Sequence, residues 1–151
     1  MQLTTVHSIE GSADHCWTII AEQFGDTADW SSSMSSSRLD GDVLEVGTVR
    51  IGQVGKRQLR ERVTRLDRAN RIFAYELLDP PGFVESATNI WTITPDGPDR
   101  CTIKSELDMS LHRLATPLVP LLKLALKRQL AAAVEEFRCF AETGTPHERT
   151  L

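Results

Sequence analysis

The sequence lacks a long hydrophobic run. Its most apolar stretch, residues 118–126, is interrupted by Pro120 and Lys123 and is too short to span a bilayer. The residues after Met1 show neither the positively charged start nor the apolar core of a secretory signal. We therefore expect a cytoplasmic protein that does not insert into a membrane.

Cysteine is scarce as well. The chain of 151 residues contains three cysteines, Cys16, Cys101 and Cys139. An odd number at wide spacing argues against a disulfide framework, and reduced thiols are the norm in the cytoplasm. The sequence predicts three free thiols.

The sequence lacks a dense block of basic residues. The 17 basic and 21 acidic residues are mixed along the chain and give a net charge of −4. Proteins that bind nucleic acid or an anionic membrane usually carry a block of Lys and Arg. The sequence predicts neither partner.

Familiar catalytic and metal-binding motifs are missing too. None of the four histidines (His7, His15, His112 and His147) has a Cys, Asp or His at the spacing of a zinc site. The chain has no G-x-S-x-G elbow, no Walker loop and no dinucleotide fingerprint. The serines of residues 31–37 have no base beside them, so a serine nucleophile is not predicted. We expect no metal and no cofactor.

The strongest pattern that is present predicts one long helix from Thr116 to Glu142. Thr116 suits the N-cap and Pro117 suits the first turn. Apolar residues then recur at steps of three and four, the period of one helical face: Val119, Leu122, Leu126, Leu130, Ala133, Phe137 and Phe140. We expect a single domain over residues 1–142 and a disordered tail over residues 143–151.

Most of the chain before that helix alternates between apolar and polar residues. A period of two predicts antiparallel strands with one buried and one wet face. Two short helices are predicted after the first strand, one capped by Ser12 and one over residues 25–30. The predicted strands are Leu3–Glu10, Ser36–Leu39, Gly47–Val54, Arg57–Leu66, Arg71–Leu78, Val84–Thr94 and Arg100–Ser110.

Four stretches of the chain carry a resemblance to a known superfamily. They are Val46–Arg50 (VGTVR), Arg60–Asp67 (RERVTRLD), Tyr75 and Ala87–Trp91 (ATNIW). Together with the order of elements, they resemble the SRPBCC or START-like superfamily, which includes birch-pollen-allergen-like proteins, START-related lipid-binding domains and bacterial polyketide cyclases. The resemblance implies an α+β helix-grip fold, in which a curved antiparallel seven-stranded sheet wraps around the long C-terminal helix and encloses a hollow.

The quoted stretches look most like the subgroup that includes plant abscisic-acid receptors, with two departures. The loop Gln53–Arg57 is too short to act as the receptors' ligand gate. A serine near Ser31 stands where the receptors carry a basic residue. The resemblance therefore does not imply a hormone receptor.

Polar residues on the predicted inner face are the informative ones, because apolar residues are the rule there. Glu61 lies between Leu59 and Val63 and needs either a partner or a raised pKa. Arg50 has inward parity on its strand, so it is either that partner or a bidentate holder of a ligand carboxylate. A plain internal salt bridge between Arg50 and Glu61 is the alternative.

Other polar groups share that face. Tyr75, Asn89 and Ser105 add a phenol, an amide and a hydroxyl, although Tyr75 and Trp91 would equally serve as plain core. Phe83, in the loop Asp79–Phe83, is a candidate lid, and a stiff Pro-Pro-Gly turn between two strands is the alternative. The last helix is predicted to close the floor with Leu118, Leu122, Ala125, Leu126 and Gln129. The predicted ligand pocket comprises Trp30, Met34, Arg50, Leu59, Glu61, Phe73, Tyr75, Asn89, Trp91, Ser105, Leu122 and Leu126.

The leading hypothesis for function is a carrier or sensor that binds a small hydrophobic or amphipathic molecule in this hollow. The second is a polyketide cyclase/dehydratase-like enzyme that uses the same hollow. In that enzyme Glu61 or Tyr75 would move a proton, and Arg50 or Asn89 would steady an enolate oxygen.

A third hypothesis concerns the surface of the last helix. Leu121 and Leu124 fall off its core-facing stripe, so its N-terminal half is apolar on more than one side. Such a surface predicts a homodimer contact.

Overall fold

The structure, a computed structural model that describes residues 1–150, contains one sheet of seven antiparallel strands. The strands follow the spatial order β1-β7-β6-β5-β4-β3-β2. They are β1 (Gln2–Ile9), β2 (Ser36–Asp40), β3 (Val49–Val54), β4 (Arg57–Asp67), β5 (Ile72–Leu77), β6 (Val84–Pro95) and β7 (Cys101–Leu111). The predicted sheet is confirmed, and every strand begins and ends within two residues of its predicted bounds.

The two short helices predicted after the first strand are also present. Ser12 caps helix α1 (Ala13–Trp17), and its hydroxyl accepts a hydrogen bond of 3.1 Å from the backbone N–H of His15. The chain continues through a π-helical turn (Thr18–Glu22) into a 3₁₀ helix (Phe24–Asp29) that packs on β2. These elements cover one end of the sheet.

Helix α2 (Val119–Thr143) is the long C-terminal helix, and a 3₁₀ helix (Arg113–Leu118) leads into it. The prediction that Thr116 is its N-cap is wrong: Leu118 occupies that position and makes no side-chain capping bond. The reason is that helical winding starts earlier, directly after β7, where the N–H of Ala115 donates to the carbonyl of His112 at 2.8 Å.

The C-terminal half of α2 seals the core. Phe137 is 2% exposed and meets the ring of Trp30 edge-on at 5.3 Å between centroids. Val134 and Ala141 are buried on the same side. Beneath them lie the innermost side chains of the sheet and of the first helices: Ile9, Cys16, Phe24, Val63, Phe73, Ile93, Cys101 and Ile103.

The N-terminal half of α2 does not pack closely against the sheet. Leu122, Leu126 and Leu130 lie on the predicted apolar stripe, yet each is only half-buried. The stripe therefore serves two purposes: its second half fills the core, and its first half covers a space that the sheet does not fill.

The C-terminal tail contacts the domain through Arg149 and Thr150, and the expectation of disorder over residues 143–151 stays a prediction. Glu136 of α2 is buried and accepts hydrogen bonds from the N–H and hydroxyl of Ser32 at 3.0 and 2.5 Å. Arg149 of the tail lies 3.3 Å from the same carboxylate, and the hydroxyl of Thr150 donates to the carbonyl of Trp30 at 3.1 Å. These bonds attach the loop that contains Ser32 to α2.

All three cysteines are free thiols, as predicted. Cys16 and Cys101 are buried in the core. Burial raises the pKa of both thiols above the ordinary value. They are therefore unreactive core residues.

We expect Gly25→Ala to destabilise the fold. A Cβ at Gly25 would lie 2.9 Å from Cγ and 3.1 Å from the backbone N of Leu39, so β2 and the 3₁₀ helix would have to separate. The expected loss is about 1–3 kcal/mol in the free energy of unfolding, measured by urea denaturation. Gly82→Ala is the control, because a Cβ there meets nothing within 4 Å. Equal stabilities of the two variants would contradict the packing described here.

Candidate functional site

A cavity of about 340 Å³ lies between the inner face of the sheet and the middle of α2, from Leu126 to Val134. Its walls are mainly apolar. Val54, at the end of β3, borders the cavity and is 40% exposed, so the cavity reaches solvent at that edge.

Ten of the twelve predicted pocket residues border this cavity. That they bind a ligand stays a prediction. The ten are Trp30, Met34, Arg50, Leu59, Glu61, Tyr75, Asn89, Trp91, Ser105 and Leu126.

Two predicted residues lie elsewhere. Phe73 is completely buried and packs against Phe24 and Tyr75, with ring centroids 4.9 and 5.7 Å away. It is a core residue beneath the cavity. Leu122 lies in a separate groove on the outer side of α2. Leu122 lies one helical turn before Leu126. It does not border the cavity because the cavity ends at Leu126, and α2 extends beyond that point.

The predicted lid and most of the predicted floor also belong to that outer groove. Phe83, Leu118 and Ala125 line it, and Phe83 does not border the cavity. Of the predicted floor, Leu126 and Gln129 alone face the cavity. Helical periodicity predicts the side of a helix, but it does not show where along the helix the sheet ends.

Several cavity residues were missed in the prediction of the pocket. Thr5 was detectable, because it alternates with the inward Leu3 and Ile9 on β1. Leu107 and Met109 have the inward parity of β7. The loop residues carry no periodic signal and were not detectable in this way. The missed residues are Thr5, Ile20, Phe24, Thr27, Ser31, Ser33, Val54, Leu107, Met109, Leu130, Ala133 and Val134.

Met34 owes its place in the wall to a glycine. A Cβ at Gly52 of β3 would lie 2.8 Å from the sulfur of Met34, so only glycine lets this side chain lie across the strand. The serine loop beside it is ordered by the 2.7 Å hydrogen bond between the hydroxyls of Ser31 and Ser33.

Arg50 and Glu61 form a buried ion pair on neighbouring strands. They are directly opposite each other in the β3–β4 register. Nε and Nη2 of Arg50 both donate to Oε2 of Glu61, the former at 2.9 Å. Oε1 of Glu61 receives no hydrogen bond from any residue in the range 1–150, and Glu61 borders the cavity.

The remaining donors of Arg50 are directed into the protein. Nη1 donates to the hydroxyl of Thr27 at 2.5 Å and to the carbonyl of Phe24 at 3.4 Å. The guanidinium carbon lies 3.8 Å from the centroid of the Phe24 ring, a cation–π contact. Arg50 is 3% exposed. It is therefore the structural partner of Glu61 and has little capacity left for a ligand carboxylate.

A second polar cluster surrounds the phenol of Tyr75. Its oxygen accepts hydrogen bonds from Nδ2 of Asn89 at 3.0 Å and from Nε1 of Trp91 at 3.3 Å. Ser105 donates to Oδ1 of Asn89 at 3.0 Å, which fixes the amide orientation. The phenolic hydrogen of Tyr75 has no acceptor within residues 1–150, so the phenol can donate to a ligand.

The environment of Tyr75 keeps the phenol neutral. Desolvation by burial raises its pKa above the usual value of 10, and the nearby charge of Glu61 raises it further. Arg50 and the hydrogen bonds from Trp91 and Asn89 act in the opposite direction but do not outweigh burial. Tyr75 is therefore a hydrogen-bond donor or an acid at neutral pH, and it is not a base.

Two further polar atoms at the cavity wall have no partner. Oγ1 of Thr5 and Nε1 of Trp30 are buried and make no hydrogen bond with residues 1–150. Buried polar groups are paired in nearly all native structures, so unpaired atoms beside a cavity indicate a bound molecule or water. Both residues border the cavity.

The chemistry of the described residues points to no metal centre. No group of three or more His, Cys, Asp and Glu side chains in residues 1–150 is arranged to hold a metal ion. Within the same range, no helix is long and apolar enough to cross a bilayer.

Comparison with known proteins agrees with this architecture. Pathogenesis-related proteins A and B of Petroselinum crispum are each 32% identical to the chain over 80 residues, which are 48% of this chain and 51% of each relative. The match spans about half the length of these curated relatives. It supports the predicted SRPBCC superfamily.

Solved structures with this fold share little sequence with the chain. Norcoclaurine synthase from Thalictrum flavum superposes with a TM-score of 0.71 at 18% identity, over 95% of this chain and 94% of that one. The di-domain ARO/CYC protein BexL from the BE-7585A biosynthetic pathway superposes with a TM-score of 0.77 at 12% identity. This match covers 94% of this chain and 46% of BexL. At these identities the likeness shows the fold alone, and it confirms the helix-grip architecture.

A family model covers nearly the whole chain. The model described as polyketide cyclase / dehydrase and lipid transport matches residues 1–142, from the first residue through almost all of α2. The protein therefore belongs to the polyketide cyclase / dehydrase and lipid transport family.

Proposed function

We propose that the protein is a carrier or sensor that binds a small molecule with an apolar body and one polar end inside the cavity. The observation that carries this proposal is the set of unpaired polar atoms on otherwise apolar walls: Oε1 of Glu61, the phenolic hydrogen of Tyr75, Nε1 of Trp30 and Oγ1 of Thr5. A volume near 340 Å³ lies at the small end of the range for ligand sites.

The polar end of this ligand is a hydrogen-bond donor such as a hydroxyl or an amine. Glu61 offers a free carboxylate oxygen, which accepts hydrogen bonds and repels anions. The cation that would hold a carboxylate, Arg50, is already occupied by Glu61, Thr27 and Phe24. A hydroxyl suits both neighbours, because it donates to Glu61 and accepts from Tyr75.

The second candidate is an enzyme that uses the same cavity for acid–base chemistry. Glu61 on β4 and Tyr75 on β5 both border the cavity and are ready to accept and to donate a proton, respectively. The names of two structural neighbours, norcoclaurine synthase and an ARO/CYC protein, belong to enzymes. In this reaction Tyr75 would act as the acid, because its pKa is raised.

The ligand proposal predicts selectivity for an alcohol over an acid. We expect decanol to displace the neutral probe N-phenyl-1-naphthylamine at pH 8 at a concentration at least about tenfold lower than decanoate does. The reason is repulsion between Glu61 and the carboxylate of decanoate, and roughly 1.4 kcal/mol of repulsion weakens binding tenfold. The measurement is probe fluorescence during titration. Glu61→Gln removes the charge and should shrink the difference. Tighter binding of decanoate by the parent protein would refute the assigned polarity, and failure of the probe to bind would count against the cavity as a ligand site.

The structural role of Glu61 is tested separately, by stability. Arg50 is too buried to reach water, so Glu61→Leu should cost about 3–5 kcal/mol in the free energy of unfolding by leaving a buried charge unpaired. Glu76→Leu is the matched control, because Glu76 on β5 pairs with Arg62 on β4 at the surface. This substitution should lower the free energy of unfolding by less than about 1 kcal/mol. Similar losses from the two substitutions would mean that Arg50 finds another partner.

The raised pKa of Tyr75 is directly measurable, because Tyr75 is the single tyrosine of the chain. Absorbance at 295 nm should titrate with a midpoint above 10 in the folded protein and near 10 in urea. The contribution of this group to stability is complete below pH 10 and is lost as the pH rises through the folded pKa. A folded midpoint below 10 would contradict the burial of the phenol as the dominant influence on its pKa.

A further inference from the structure

The outer side of the first half of α2 forms an exposed apolar surface together with the 3₁₀ helix before it and the β5–β6 loop. Leu114, Leu118, Leu121 and Leu124 are 95%, 58%, 69% and 49% exposed, and Phe83 from the β5–β6 loop is 47% exposed. Phe83, Leu118 and Leu121 share a groove of about 300 Å³. Monomeric proteins rarely expose so many large apolar side chains side by side unless the surface contacts something.

The same segment is positively charged in a chain whose net charge is −4. From residue 109 to residue 134 it contains no Asp or Glu, while it carries Arg113, Lys123, Lys127 and Arg128. All four basic side chains are exposed, and none forms an ion pair with residues 1–150. Glu85, two residues after Phe83, lies 3.1 Å from Nδ1 of His112.

The arrangement of the two features on the helix is amphipathic. Leu121 and Leu124 lie on the side of α2 that faces away from the cavity-lining Leu126 and Leu130. At 100° per residue, Arg128 lies between Leu121 and Leu124 around the helix, and Lys127 lies about 60° beyond Leu124. Lys123 lies nearer the cavity side of the helix. Long basic side chains beside an apolar stripe can bury their stems and keep their charges at a polar boundary.

We propose that this surface, formed by Phe83 and the outward side of residues 113–128, docks on an anionic lipid bilayer. An interfacial helix has this composition: leucines that enter the acyl boundary and Lys and Arg that meet anionic headgroups. Docking is peripheral, since no helix within residues 1–150 spans a bilayer. Because Leu126 and Leu130 of the same helix border the cavity, docking would place the cavity next to the lipid surface.

The charges disfavour a second copy of the chain as the occupant. A two-fold contact through this surface would bring Lys127 and Arg128 of both copies together without compensating carboxylates. An anionic bilayer matches the leucines and the charges at the same time.

The test is co-sedimentation of the full chain with vesicles of phosphatidylcholine alone or with added phosphatidylglycerol. We expect binding to the anionic vesicles at low salt and weaker binding at high salt. Lys127→Glu with Arg128→Glu should reduce the vesicle affinity at least about tenfold. Arg38→Glu with Lys56→Glu is the control, because it makes the same change of net charge at two exposed, unpaired residues far from this surface in the sequence.

The apolar contribution is tested by Leu121→Gln with Leu124→Gln, with Val6→Gln as the control at an exposed residue of β1. The leucine variants should lose vesicle binding and keep the parent's thermal unfolding temperature. Equal loss in the charge-reversal variant and its control, or no binding of the parent to anionic vesicles, would overturn the proposal. A parent dimer that the leucine variants convert to a monomer, without vesicle binding, would assign the surface to self-association instead.

Discussion

The cavity depends on the way α2 is anchored to the rest of the chain. Phe137 packs into the core against Trp30, and the buried carboxylate of Glu136 is tied to Ser32 and to Arg149 of the tail. These contacts hold the C-terminal half of the helix down. The N-terminal half extends beyond the last filled layer of the core, so Leu126 covers space instead of side chains. Less apolar surface is therefore buried at this end of the molecule, and a cavity remains where a fully packed core would have none.

The buried Arg50–Glu61 pair sets the polarity of that hollow. Removing two charges from water is costly, and the pair persists because Arg50 also donates to Thr27 and Phe24 and lies over the Phe24 ring. Because most donors of Arg50 are already paired, the main unpaired groups at the cavity are the second oxygen of Glu61 and the phenol of Tyr75. The character of the cavity is therefore determined by which polar atoms remain unpaired, and not by which residue types surround it.

Family membership leaves the ligand open, since this fold supports carriers and enzymes on the same scaffold. The structural neighbours share 12–18% identity with the chain, which is too little to transfer a substrate. The function is therefore inferred from the cavity itself. Helix α2 links it to the outer surface, because one side of the helix borders the cavity and the other side presents Leu121 and Leu124 to solvent.

The sequence by itself determined the elements and the inward residues. Period-two alternation places Glu61, Tyr75 and Asn89 on the inner face because a strand that is buried on one side must alternate, and the structure agrees. Tertiary structure alone decided what those residues border. Phe73 and Tyr75 have the same parity, yet Phe73 is sealed beneath Phe24 while Tyr75 borders the cavity. Periodicity reports the side on which a residue lies, whereas a cavity depends on the separation of two layers, which distant contacts such as the one at Phe137 determine.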